Sequence, residues 1–148
     1  MWVADRYGGQ LGHGAVRQMC LAHLLRDAKY AIEAGDTMFA PRFRLLLLRA
    51  VAIGKRRGAL KDTTLAQYRA DLDRRLDRLL SGPEPSQKAA RCLFRAMRRD
   101  RDDLFRFVTR RDVPFSRVDD RRGGVRGRPG IAESGRWRWF AGWVPKGC

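Results

Sequence analysis

Asp5 follows the short apolar run Trp2-Val3-Ala4 and is the first residue whose type and place suggest chemistry. A carboxylate at the end of a strand can hold a metal ion or act as a general base. The plainer reading is a turn former, because Asp bonds readily to its own backbone and Tyr7-Gly8-Gly9 marks a turn just beyond. Cys20-Leu21-Ala22-His23 has the C-x-x-H spacing of half a metal site. A structural zinc needs four ligands, and the other half is missing: His13 is the one remaining histidine and Cys92 is distant. On a helix, residues three apart share a face, so Cys20 and His23 are expected to pack against a sheet, the imidazole satisfied by a polar neighbour. Arg26-Asp27, a turn further on, reads from its residues alone as an ordinary surface pair. The chain has no glycine-rich phosphate loop, since Gly8-Gly9 lacks the following Gly and Lys, and no serine or cysteine elbow.

The elements that must position these residues are legible in the apolar spacing. Trp2-Val3-Ala4 reads as a short strand, which needs neighbours to pair with, expected in sequence outside this chain. From about Ala15 to Ala34, Val16, Met19, Cys20, His23, Leu24, Ala28, Ala31 and Ile32 recur at helical intervals, and Gly35 stands where a helix stops. A second helix is expected from near Pro41, carrying Phe43, Leu46, Leu47, Ala50 and Ile53 until Gly54 and Gly58 weaken it. A third is capped by Asp62, Thr63 or Thr64, with Leu65, Tyr68, Leu72, Leu76, Leu79 and Leu80 on one stripe and alternating Arg and Asp elsewhere. Ser81-Gly82-Pro83-Glu84-Pro85 ends it. A fourth helix covers about Gln87 to Arg99 and a shorter one Asp103 to Thr109. After Pro114 no period persists, and the Gly-, Arg- and Trp-rich ending reads as a solvated, disordered basic tail. Its arginines and tryptophans could stack on single-stranded bases; a tail without selected function is the simpler account.

Composition narrows the partners. Across 148 residues there are 32 Lys and Arg against 16 Asp and Glu, a formal net charge of +16. Nearly all the cations are arginine, whose fork suits phosphate, so nucleic acid is the first partner to consider, ahead of anionic membranes and acidic proteins. Cys20, Cys92 and Cys148 are too few for a disulfide framework and fit a reducing compartment. No signal peptide or bilayer-length apolar run is present, so no membrane partner and a cytoplasmic location are expected.

The blocks Asp5-Arg6-Tyr7-Gly8 and Cys20-Leu21-Ala22-His23-Leu24-Leu25-Arg26-Asp27 resemble the central region of the insertion sequence 66 transposases. The resemblance continues through Ala31-Ile32-Glu33-Ala34-Gly35-Asp36, Phe39-Ala40-Pro41 and Thr109-Arg110-Arg111-Asp112-Val113-Pro114. It implies an α/β fold: a partial ribonuclease-H-like core interrupted by a mainly α-helical insertion. Residues 1–36 would be a fragment of the core, 37–108 the insertion, and 109–148 the return to the core followed by the irregular tail. It also implies three catalytic acids that hold two Mg²⁺ ions about 4 Å apart for cleavage and joining of DNA strands. By the motif Asp5 is the second acid, the catalytic and metal-binding residue of this chain, and Cys20, His23, Arg26 and Asp27 support the core around it.

The chain departs from that pattern in two places. The first acid is expected upstream of Met1, and the third in a T-N-N-x-x-E-R segment after Pro114. Here Ser116-Arg117-Val118-Asp119-Asp120-Arg121-Arg122 stands instead, with Arg121 at the glutamate position and Asp119 and Asp120 out of register. The abrupt loss of resemblance suggests a frameshifted tail. The expected function is therefore that of a truncated DNA transposase, inactive alone, with DNA, a full-length transposase or a second copy as partner. The alternative is a non-enzymatic basic DNA-binding or regulatory fragment.

Overall fold

Helix-period apolar residues between Leu21 and Val108 have one way to leave water together, which is to fold helices onto a shared core. The computed structural model describes residues 2–4 and 17–114. Strand β1 (Trp2–Ala4) pairs in parallel with β2 (Arg17–Met19), with Trp2 opposite Arg17, Val3 opposite Gln18 and Ala4 opposite Met19. The helices are α1 (Leu21–Glu33), α2 (Phe39–Arg56), α3 (Asp62–Leu80), α4 (Lys88–Arg99) and the single turn α5 (Arg106–Thr109). Short 3-10 turns at Arg57–Ala59 and Arg101–Asp103 link them.

The pairing of β1 with β2 corrects two sequence expectations. The stretch before Cys20 is a strand rather than the start of a helix, and β1 finds a neighbour within this chain. Val16, Met19 and Cys20 mimic helical spacing, but three paired residues decide the backbone here, because short apolar runs do not distinguish strand from helix. Cys20 then becomes the extended residue from which α1 springs.

Gly35 ends α1 for a stereochemical reason. Its φ is +97°, its N–H donates to the Ile32 carbonyl at 2.9 Å, and the Asp36 N–H reaches back to Ala31 at 3.1 Å. This is the left-handed helix stop that favours glycine. Asp36 is buried and starts the next helix: its carboxylate accepts from the N–H of Met38 at 3.3 Å and of Ala40 at 2.5 Å. That cap sets the beginning of α2 at Phe39, earlier than Pro41, which falls in the first turn where its missing N–H costs nothing. Gly54 does not weaken α2; it is buried within the helix, which runs on to Arg56. At α3, none of Asp62, Thr63 and Thr64 is the cap residue: the extended Lys61 is, with no side-chain cap bond, and Asp62 is the first helical residue.

Leu65, Leu72, Leu76 and Leu80 of α3 are buried, with Tyr68 and Leu79 packed partly beside them. They share one core with Phe43, Leu46, Leu47 and Ala50 of α2 and with Leu93, Phe94 and Met97 of α4, and α3 packs against both helices. Phe39 stacks on Phe43 at 5.4 Å between centroids and meets Phe94 edge-on at 5.2 Å, both favourable ring geometries. Leu104, Phe105, Phe107 and Val108 close the far side of the core. Arg69–Asp73 at 2.7 Å and Arg75–Asp71 at 2.9 Å are the near-neighbour pairs that the alternation of charge on α3 foretells.

One buried polar side chain joins the strand pair to this helical body. Gln18 on β2 is fully buried; its Nε2 donates to the carbonyls of Met19 at 2.8 Å and Leu104 at 2.7 Å. Its Oε1 accepts from the Phe107 N–H at 3.0 Å. The amide thereby satisfies backbone groups on a segment far along the chain that has no strand of its own to pair with.

The described residues are thus mostly helical, with one two-stranded parallel sheet. The expected α/β class with a ribonuclease-H-like core is not shown among them; what they show is a helical body with one short strand pair. Asp5 and the tail expected to be disordered lie outside the described residues. Among the described residues, no helix is long and apolar enough to cross a membrane.

Candidate functional site

The C-x-x-H element sits where β2 turns into α1. Cys20 is a buried free thiol at the helix entry, and its carbonyl accepts the first helical bond from the Leu24 N–H at 3.2 Å. His23 lies in the first turn and is half-buried. Its Nδ1 is buried and has no hydrogen-bond partner among the described residues. The polar neighbour expected for the imidazole is therefore not found at Nδ1 among the described residues. Arg26 is exposed and Asp27 half-buried one turn further along the same helix. Asp5, expected beside this element, lies outside the described residues, so the arrangement of the acid with Cys20 and His23 is not on view.

The element ends meet at a second locus. Arg57, in the turn after α2, spreads its guanidinium over the returning chain. Its Nη1 donates to the carbonyls of Phe107 at 2.8 Å and Val113 at 2.6 Å, and its Nη2 to that of Arg111 at 3.2 Å. Arg111 answers from the other side, with Nη1 on the Arg57 carbonyl at 2.7 Å and Nη2 on the Leu60 carbonyl at 2.6 Å. The same Nη2 lies 2.8 Å from the Asp62 carboxylate. Two planar forks, each donating to several carbonyls at once, make a reciprocal clamp that lysine could not reproduce. It locks Thr109-Arg110-Arg111-Asp112-Val113-Pro114 to the junction of α2 and α3.

Electrostatics elsewhere on the helices serve mainly to pair charges. Arg101 grips Asp77 of α3 with both prongs, at 2.5 and 2.6 Å, and this holds the Asp77 carboxyl below its usual range. The Arg75 guanidinium likewise holds the Asp71 carboxyl down, and Arg110 does the same for Asp112. These are structural ion pairs on open surface, where such shifts accompany modest energies. The outward side of α2 is different: Arg42, Arg44, Arg49, Lys55 and Arg56 are all exposed and the helix contains no acid.

Could the described residues hold the two metal ions that a strand-cleaving acid triad requires? No three His, Cys, Asp or Glu side chains converge among them. The described residues alone therefore do not build that site, and no catalytic step can be drawn through it. Cys20 and His23 supply one thiol and one imidazole at the base of α1, too few ligands for a closed zinc site.

Sequence reasoning overlooked Gln18, Asp36, Arg57 and the contacts of Arg111. A signal existed for Asp36, since an acid just after a helix-stopping glycine and ahead of an apolar run is a capping pattern. Gln18 and Arg57 gave none, because their partners, apart from Met19, lie 50 or more positions away.

A short parallel strand pair thus feeds a helix with a C-x-x-H start, and a mostly helical body is clamped to the segment 109–114. The Transposase IS66 family matches residues 1–117, and the chain belongs to that family. Comparison with curated proteins and with solved structures gives no match.

Proposed function

We propose that this chain is a DNA-binding piece of an insertion-sequence transposase, unable to cleave DNA by itself. The observation that carries the reading is the family match over residues 1–117, which takes in the C-x-x-H element, all five helices and the clamped return segment. In this reading β1, β2 and α1, within residues 1–36, belong to a partial ribonuclease-H-like core. Residues 37–108 form the helical insertion, and residues 109–148 begin the return. Asp5, next in sequence after the last residue of β1, is the acid retained at a matching position, with Cys20, His23, Arg26 and Asp27 supporting the core near it. The family implies dependence on a divalent metal, Mg²⁺ by the chemistry of paired carboxylates. Arg121 in place of the third acid argues against a complete site in this chain, and a shifted reading frame after Pro114 would account for it.

The test is nicking of supercoiled DNA with and without Mg²⁺, using the chain and its Asp5→Ala variant. The expected outcome is no metal-dependent nicking above background from either protein. Metal-dependent nicking that Asp5→Ala abolishes would show a working site and overturn the inactive reading.

A second reading, a non-enzymatic basic fragment that regulates or interferes with a full-length transposase, draws on one observation. The core formed by α1 to α5 is continuous and closed by residues within 17–114, so the helical body has the means to persist without a complete sheet. The partner in either case is DNA, with self-association or pairing with a complete transposase as the route by which missing acids would be supplied.

A further inference from the structure

We infer that the outward face of α2 is the surface on which this protein holds the sugar–phosphate backbone of duplex DNA, a proposal that rests on the DNA-binding reading above and gives it a location. The argument begins with which cations are spoken for. Among the described residues, Arg69 is bound to Asp73, Arg95 to Glu84, Arg99 to Asp100, Arg101 to Asp77, Arg106 to Asp103 and Arg110 to Asp112. On α2 a single cation has such a partner: Arg49 lies 3.1 Å from Asp71, a carboxylate it shares with Arg75. Arg42, Arg44, Lys55 and Arg56 have no carboxylate partner among the described residues.

Helix α4 provides the comparison, since it too carries five cations and no acid. There three of the five have a carboxylate within 4.0 Å, and Lys88 and Arg98 have none among the described residues. Glu84 takes Arg95 and lies at the limit of contact with Arg91, Asp100 takes Arg99, and Arg98 lies over the Phe94 ring at 5.9 Å. The cations of α2 are thus left less paired than those of α4.

Geometry suits a duplex backbone. Arg42, Arg49 and Arg56 recur every seven residues, so they fall on one line of the helix over about 21 Å. Arg44 and Lys55 are exposed too, on the opposite border of the outward face, about 160° around the helix from Arg42. A row of guanidinium groups, its two outer members without a carboxylate partner, matches the repeating phosphates of one strand, and binding would release counterions from them. An anionic membrane is the other polyanion to weigh. It requires the apolar side of the helix to enter lipid. Here Phe39, Phe43, Leu46, Leu47 and Ile53 are already committed to the core, leaving one exposed pair, Leu45 and Leu48, three residues apart on the outside, a small apolar area for entering lipid.

The experiment titrates the full chain with a duplex of arbitrary sequence over a range of salt concentrations. One variant combines Arg42→Gln, Arg44→Gln and Arg56→Gln; a control removes the same charge from α4 with Lys88→Gln, Arg95→Gln and Arg98→Gln. Loss of about three phosphate contacts is expected to lower the slope of log affinity against log salt by about 3 in the α2 variant. Its affinity near 0.1 M salt is expected to fall by on the order of a hundredfold. The α4 variant should stay close to the parent. Because glutamine is a good helix former at exposed positions, circular dichroism should be unchanged, and a triple lysine variant at the α2 positions should retain binding. An α2 variant that binds with the parent's slope, or an α4 variant that loses as much, overturns the proposal while leaving DNA binding intact. A parent chain that binds no DNA removes the underlying reading instead. Capture on phosphatidylserine vesicles without DNA binding, abolished in the α2 variant, would reassign the face to lipid.

Discussion

Replacing Gln18 by leucine is expected to destabilise the fold by roughly 3 kcal/mol, because it strands buried backbone groups rather than merely deleting a contact. The side chain is fully buried and serves three partners at once, the carbonyls of Met19 and Leu104 and the N–H of Phe107. Leucine fills similar space, so a cavity is not the issue. What is lost is an acceptor for the Phe107 N–H inside the core and a donor to the Leu104 carbonyl on the same segment. Small domains are stable by about 5–15 kcal/mol, so this one change would remove a large fraction of the total. Gln18→Glu is expected to be at least as damaging, since an ionised carboxylate cannot donate to either carbonyl and carries its charge into the core. Urea unfolding followed by circular dichroism measures both. A loss below about 0.5 kcal/mol for the leucine variant would mean that water or a rearranged backbone replaces the amide.

Arg57→Met is expected to cost about 2 kcal/mol and, more tellingly, to release the return segment. The guanidinium holds carbonyls of Phe107, Arg111 and Val113, and its own carbonyl is held by Arg111. Removing it leaves Arg111 with its contacts to Leu60 and Asp62 but frees the chain from about residue 110. Trypsin should then cut at Arg110 and Arg111 faster than in the parent, before global unfolding. Arg57→Lys should fall between the two, because an ammonium cannot address three carbonyls from one plane. Arg111→Met should not add its full cost to Arg57→Met, with non-additivity above about 0.5 kcal/mol in a double-mutant cycle. Full additivity with unchanged proteolysis would show that the two arginines are independent surface contacts.

These two expectations mark the boundary of what the sequence discloses. Helices α1 to α4 were legible because each repeats apolar residues every three or four positions, and Gly35 announces its helix stop through the one residue type that tolerates its φ. The sheet was half legible: Trp2-Val3-Ala4 reads as a strand, but Arg17-Gln18-Met19 has too few residues to show a period of two. Its pairing depends on β1 and on an amide whose partners lie at Leu104 and Phe107. The clamp was legible as a block of resemblance, Thr109 to Pro114, without its physical reason, since no local pattern tells Arg111 to seek the carbonyls of Arg57 and Leu60. Of the candidate site, Cys20 and His23 fall together at the start of α1 as their spacing implies, while the arrangement of Asp5 lies outside the described residues. Net charge pointed to a polyanion, but which cations are free to meet it could not be known before Asp71, Asp77, Glu84 and Asp100 had found their partners.

The central claim is that this family member meets DNA through its phosphates, and the most direct measurement is titration of the unmodified chain with two duplexes of unrelated sequence at 50 and 200 mM salt. Neutralisation of six or more phosphates predicts an affinity loss of on the order of a thousandfold between the two salts, equal for both sequences. Affinity that ignores salt, or binding confined to one sequence, would contradict it.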